Sequence, residues 1–142
     1  MKKTFILIGL IFAVVAMAFR NASFYKPETP AGWPKPVYDF QKKTLDLKKI
    51  ALGRRLFYDP ILSKDSTISC ASCHSPYNAF THVDHNLSHG IKDRIGTRNS
   101  PVLFNLAWSK HFMWDGSVNN LDEQARTPIC NLWKWMKRYR EF

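Results

Sequence analysis

Two cysteines three positions apart with a histidine directly after them, Cys70-Ala71-Ser72-Cys73-His74, constrain this chain more than any other stretch. The spacing is that of a c-type haem site, in which each thiol adds to one vinyl group of the porphyrin and the histidine ligates the iron from below. Two other chemistries use paired cysteines. Half of a zinc site needs two further ligands, and the remaining cysteine, Cys130, lies in a stretch set apart below. A thioredoxin-like pair belongs in a βαβ setting, and no such pattern surrounds residues 70–74.

The amino terminus points to the compartment where haem c is attached. Met1-Lys2-Lys3 is a short basic region, Phe5 to Val15 an apolar run and Ala16-Met17-Ala18 an A-x-A cleavage site. That is the layout of a secretory signal peptide, so residues 1–18 are expected to be removed on export to the periplasm or another extracytoplasmic space. An uncleaved membrane anchor is the alternative, but the apolar run is shorter than the roughly 20 residues that span a bilayer.

Without the leader, 124 residues remain, enough for one domain and one core. The formal charge is +10; setting aside Lys2, Lys3 and the net +3 of residues 130–142 leaves +5. The basic residues are scattered and form no stripe, which argues against a nucleic-acid partner.

Pro27, Pro30, Pro34 and Pro36 resist both helix and sheet, so residues 19–44 read as an extended arm. Leu45 to Tyr58 carries helical spacing, with Leu45, Leu52 and Leu56 on one stripe and Leu47, Ile50 and Phe57 on its neighbour. Asp59-Pro60 ends that helix. Gly53 inside it costs about 1 kcal/mol relative to alanine, which close packing against a flat partner or a bland kink would explain. Ser63 to Thr67 is turn-like, and Ser69 is placed to cap a short helix carrying the two thiols. From Ser75 to Pro101 no period is sustained, so this long loop is expected to wrap over a site. Phe104 to Trp114 is apolar and aromatic, Asp115-Gly116 marks a turn, and Asn120 caps a helix beginning near Leu121.

These residues, in this order, resemble a known family. Leu52-Gly53-Arg54-Arg55-Leu56-Phe57-Tyr58-Asp59-Pro60, Leu62-Ser63 and Ile68 to His74 are similar to the first haem domain of the bacterial di-haem cytochrome c peroxidases and their MauG-type relatives. The resemblance continues through Gly96-Thr97-Arg98-Asn99-Ser100-Pro101, Phe112-Met113-Trp114-Asp115-Gly116 and Leu121-Asp122-Glu123-Gln124-Ala125 to Pro128-Ile129, so it covers residues 45–129. It implies an all-α, cytochrome-c-like haem domain with long irregular loops. The implied reaction is reduction of hydrogen peroxide to water with electrons from a small donor protein, a cytochrome c or a cupredoxin, through a second haem domain.

The resemblance also assigns roles. Cys70 and Cys73 bind the haem and His74 is its proximal ligand. Gln124 matches a glutamine of the distal pocket, and Trp114 matches a tryptophan lying between the two haems, although a core aromatic is the plain alternative. Asn99 matches a residue that helps bind calcium, against an asparagine that simply serves its own loop. The distal ligand is open: Ile91 stands where the peroxidases proper carry a histidine. His82, His85 and His89 share the loop, with His85 and His89 the stronger candidates, and the alternative is a five-coordinate iron as in MauG-type relatives. His111 reads as a surface residue.

The likeness breaks at Cys130. Relatives continue with asparagine, proline and a glutamate in a Glu-Met pair, whereas this chain runs Asn131-Leu132-Trp133-Lys134-Trp135-Met136-Lys137, with Lys134 in the place of the glutamate. One restored base would regenerate the family pattern, so residues 130–142 read as a frameshifted tail and the chain as a truncated first domain with impaired turnover, for which a family-like dimer is not expected. A genuine aromatic and basic tail that binds a membrane is the alternative, though it lacks an amphipathic pattern. Two readings of other classes stand beside the peroxidase: a mono-haem electron carrier with both axial positions filled, and a haem-free exported binding fragment.

Overall fold

The computed structural model describes residues 24–84 and 86–131. Residues 1–23 with the leader, His85 and residues 132–142 lie outside the described residues. Among those described, no helix is long and apolar enough to cross a membrane.

The arm is docked, not loose. A two-residue strand β1 (Phe24–Tyr25) pairs antiparallel with β2 (Leu45–Asp46), Phe24 opposite Asp46 and Tyr25 opposite Leu45. Further along, Tyr38 N donates to Ala107 O at 2.9 Å and Trp108 Nε1 donates to Pro34 O at 2.8 Å, while Trp33 meets Trp108 edge-on at 5.2 Å. The prolines lack donors of their own, so around them the arm is held by the Pro34 carbonyl, the Trp33 ring and the backbone N–H of Tyr38.

The helix expected over residues 45–58 is α1 (Leu47–Tyr58), starting two residues later because Leu45–Asp46 is taken by β2. Asp46 caps it by accepting from Lys48 N at 2.7 Å, and Asp59 N–H closes it on Arg55 O at 3.0 Å. Asp59 Oδ1 then accepts from Ile61 N, turning the chain into a 3-10 segment at Pro60–Leu62. Ile50, Leu56 and Phe57 are half-buried, whereas Leu47 and Leu52 are exposed. Beyond its own stretch of helix, nothing described lies within 4 Å of where a Gly53 Cβ would sit, so no packing contact among the described residues demands glycine there. Helix α1 packs against the short α2 (Cys70–Cys73). After a long irregular stretch come α3 (Leu121–Gln124), capped by Asn120 Oδ1 accepting from Asp122 N at 3.0 Å, and α4 (Arg126–Ile129).

The expectation of an all-α domain is overturned. Among the described residues, the helical pieces beyond α1 are four residues long, 3-10 turns replace helices elsewhere, and a small antiparallel sheet ties the arm to α1. The physical reason lies in the backbone: Ser66, Ala79, Phe80, Lys92, Asp93, Asn105 and Met113 all take positive φ, a conformation that interrupts helices and builds turns.

Among the described residues, the loop from Ser75 to Pro101 contributes three of the most buried side chains, Ser88, Ile91 and Ser100. Ile91 is 1% exposed and, with Phe112 at 7%, makes up the buried apolar core among the described residues. Serines fill the remainder: Ser63, Ser69, Ser88 and Ser100 are buried. Ser63 Oγ donates to Pro60 O at 3.0 Å and accepts from Ile68 N at 3.2 Å; Ser88 Oγ donates to Arg98 O at 3.1 Å. Buried polar groups need such partners, and here the partners staple one loop strand to another.

Candidate functional site

Residues 69–74 form one helical turn that presents both thiols on the same side, since positions three apart are neighbours on a helix. Ser69 N donates to Ser72 Oγ at 3.1 Å, and His74 N closes the turn on Cys70 O at 2.9 Å. Cys70 and Cys73 are free thiols. Burial pushes the Cys70 thiol above its ordinary 9.0, with Cys73 adding to the effect. Cys73 Sγ donates to His89 O at 3.4 Å. Among the described residues no group of three His, Cys, Asp or Glu side chains is arranged for a metal ion, so the zinc reading finds no ligand set there.

His74 leaves the helical conformation, with φ −125° and ψ 66°, and its Nδ1 lies 2.9 Å from Phe80 O. A carbonyl only accepts, so Nδ1 carries the proton and the lone pair sits on Nε2, the tautomer a metal-ligating imidazole requires. Phe80 is held for this by positive φ (56°) and by its N–H on Ser75 O at 2.8 Å. Its ring forms the middle of an edge-to-face row, 6.2 Å from Phe57 and 5.9 Å from Phe104. Two free thiols on one face, an imidazole fixed through Nδ1 and a row of aromatic edges fit a covalently tethered porphyrin.

Gln124, at the end of α3, is half-buried and borders a cavity of about 210 Å³ with Phe104, His111, Phe112 and Met113. Its Nε2 donates to Met113 Sδ at 3.7 Å. Trp114 is 62% exposed, outside the core of the described residues, and its Nε1 donates to Asn99 O at 2.7 Å. Asn99 organises its loop: Oδ1 accepts from Ser100 N at 2.7 Å and Nδ2 donates to His82 O at 3.4 Å. Arg98 and Asp115 pair at 3.4 Å between this loop and the following turn.

The histidines separate. His89 Nδ1 is 2.6 Å from Asp93 Oδ1, in a strand bridge with Ile95. His82 is half-buried, and His85 lies outside the described residues. His111 is exposed, as its sequence context implies, yet it borders the Gln124 cavity. The Ile91 side chain is buried.

Sequence reasoning missed a clamp on the Gln124 helix. Tyr38 Oη donates to Asp122 Oδ1 at 2.8 Å, and Lys43 Nζ pairs with Asp122 Oδ2. The Lys43 ammonium also sits 5.7 Å from the Tyr38 ring centroid. An acid in the first turn of α3 facing a lysine and a tyrosine in the arm is a pairing across about 80 positions, with no local signal to reveal it.

Comparisons with known proteins agree on one family. The family profile described as "Di-haem cytochrome c peroxidase" matches residues 47–139, extending past Ile129, where the motif-by-motif likeness stops. The methylamine utilization protein MauG of Methylorubrum extorquens is 36% identical over 119 residues, covering 80% of this chain and 30% of that protein. The cytochrome c peroxidase of Escherichia coli is 42% identical over 118 residues, covering 81% of this chain and 25% of that protein. The chain thus spans between a quarter and a third of these relatives' length. Among solved structures, a MauG-like protein associated with microbial copper homeostasis superposes with a TM-score of 0.70 at 28% identity, over 82% of this chain and 33% of that one. The diheme peroxidase BthA from Burkholderia thailandensis superposes at 0.59, also 28% identical, over 65% of this chain and 27% of its own.

Proposed function

The chain belongs to the di-haem cytochrome c peroxidase family, and on that premise we propose that residues 45–129 form the peroxidatic haem domain of an exported enzyme. It reduces hydrogen peroxide to two waters with electrons from a small redox protein, a cytochrome c or a cupredoxin, in the periplasm or an equivalent space. The observation that carries this reading is the pair of free thiols on one helical turn followed by His74, whose Nδ1 is fixed on Phe80 O.

Haem c, when bound, supplies the iron site and the redox chemistry of O–O cleavage. Cys70 and Cys73 tether it, and His74 offers Nε2 as proximal ligand. On the distal side, Ile91 has no lone pair to offer, whereas the contact of His89 Nδ1 with Asp93 Oδ1 is of the kind that orients an imidazole to ligate through Nε2, so His89 would be a candidate distal ligand. Gln124 borders a cavity large enough for peroxide and hydrogen-bonds it there. A neutral amide orients peroxide but does not carry a net proton, and Lys134 stands where relatives have the proton-moving glutamate, so turnover by this chain is slow. Trp114, with its N–H fixed and its ring outward, suits an electron path to a second haem. Asn99 serves chiefly as a loop organiser, since a calcium contact would have to share Oδ1 with Ser100 N.

Export of the full chain in a haem-c-competent host tests this. The product is expected to retain haem after denaturing electrophoresis, lose it in Cys70→Ala/Cys73→Ala, and oxidise a reduced donor when peroxide is added. Gln124→Ala should lower that rate by about 10- to 100-fold. A low-spin spectrum indifferent to peroxide and cyanide would instead establish a mono-haem electron carrier, and absence of covalent haem a binding fragment.

A further inference from the structure

Met113 shares the Gln124 cavity, and its thioether is the acceptor for Gln124 Nε2. Its φ of 67° is a conformation that a long side chain rarely adopts, and of the positive-φ residues other than glycine it is the one that lines this cavity. The surrounding turn enforces it. Gly116 N–H donates to Met113 O at 3.2 Å, and immediately before Met113 the chain is paired in both directions, Phe112 N to Val118 O at 2.7 Å and Val118 N to Phe112 O at 3.4 Å. The backbone that carries the thioether therefore stays beside the amide unless the turn opens, and the sulfur reaches Nε2 from there. A backbone held in an unfavourable conformation next to a site residue points to a functional constraint.

Resting on the peroxidase reading above, we propose that Met113 is the positioning residue of Gln124. By accepting from Nε2 it fixes which edge of the amide lies against sulfur, and Oε1 is left as the edge presented to peroxide, accepting from its O–H. A thioether accepts weakly and donates nothing, so it selects the nitrogen edge of an amide over the oxygen edge. Leucine fills a similar volume without an acceptor, and the amide then presents either edge.

The chain holds two glutamines, Gln41 and Gln124, so isotope labelling of glutamine yields two side-chain amide signals, with exposed Gln41 as reference. The full haem-loaded chain is read in its diamagnetic ferrous carbon monoxide form. In Met113→Leu the Gln124 signals are expected to move and their hydrogen exchange to speed up by about tenfold, with Gln41 unchanged. Met113→Gly, which relieves the backbone, should move the Gln124 signals likewise, and selenomethionine at 113 should preserve the native pattern. Unmoved Gln124 signals in both folded variants overturn the proposal even if peroxide turnover is intact. Shifted signals in a chain that never turns peroxide over uphold the positioning and sink the peroxidase reading instead.

Discussion

Replacing Ile91 by alanine asks whether a polar, aperiodic loop holds this domain together. Ile91 is 1% exposed and one of two buried apolar side chains among the described residues. Truncation removes three carbons, and at about 0.8 kcal/mol for each the transfer loss is roughly 2.4 kcal/mol. The cavity left behind raises the total to about 3–4 kcal/mol. Against a typical stability of about 5–15 kcal/mol, that is a large fraction. Leu52→Ala on α1 removes the same number of carbons from a side chain that is 57% exposed, and should cost under about 1 kcal/mol. Urea unfolding of the haem-loaded chain, followed by tryptophan fluorescence and far-ultraviolet circular dichroism, provides the comparison. The two probes must coincide, and the midpoint should fall at constant slope. Equal midpoint losses in the two variants would refute the assignment of the core to the loop.

Ser88→Ala should cost about 1 kcal/mol by removing the donor to Arg98 O, whereas Ser100→Ala should be neutral or stabilising because Ser100 Oγ is buried with no hydrogen-bond partner; the same urea titrations decide. Tyr38→Phe and Lys43→Met should each cost less than about 1 kcal/mol, as the Asp122 pair is half-exposed, yet both should increase proteolysis of the arm. Hydrogen bonds from Lys42 and Gln41 N–H to Asp39, from Thr67 to Asp65 and from Ser117 to Asp115 lower these carboxyls below 3.8. Their contribution to stability is therefore present above pH 3.8 and lost as pH falls through their lower folded values; a midpoint that rises on acidification there would contradict it. Before haem is attached, Cys70 should alkylate slowly at pH 8 with a midpoint above 9.0, and a midpoint below 8 would exclude burial as the controlling effect.

What the sequence made legible is what local rules decide. Asp59 closes α1, Ser69 opens the thiol turn and Asn120 caps α3, because a cap acts on donors two or three residues away, whereas Asp46, expected inside the helix, is its N-cap. The residues proposed to attach haem stand out in the sequence because that chemistry would fix their spacing. The Asp122 clamp, the aromatic contact of Trp33 with Trp108 and the burial of Ile91 all join distant segments, and a single sequence has no periodicity that reports them. The loop's polarity was read correctly, but its burial was not, because serine is normally a surface residue and here satisfies itself on neighbouring carbonyls.

The failure of the all-α expectation has a cause inside the site. If α2 continued through His74, the imidazole would follow the helical rotation and its Nδ1 would lose Phe80 O as partner. Ending the helix at Cys73 turns His74 out, and positive φ at Ala79 and Phe80 folds the chain back so that the carbonyl meets the ring. The same trade recurs at Met113, where a left-handed residue brings a sulfur to Gln124. Both placements need a sharp reversal within a few residues, which a continuous helix cannot supply at about 1.5 Å of rise per residue. Helical content is thus surrendered at the positions where side chains must converge, and the loss is made good by serine-to-carbonyl staples and a docked arm.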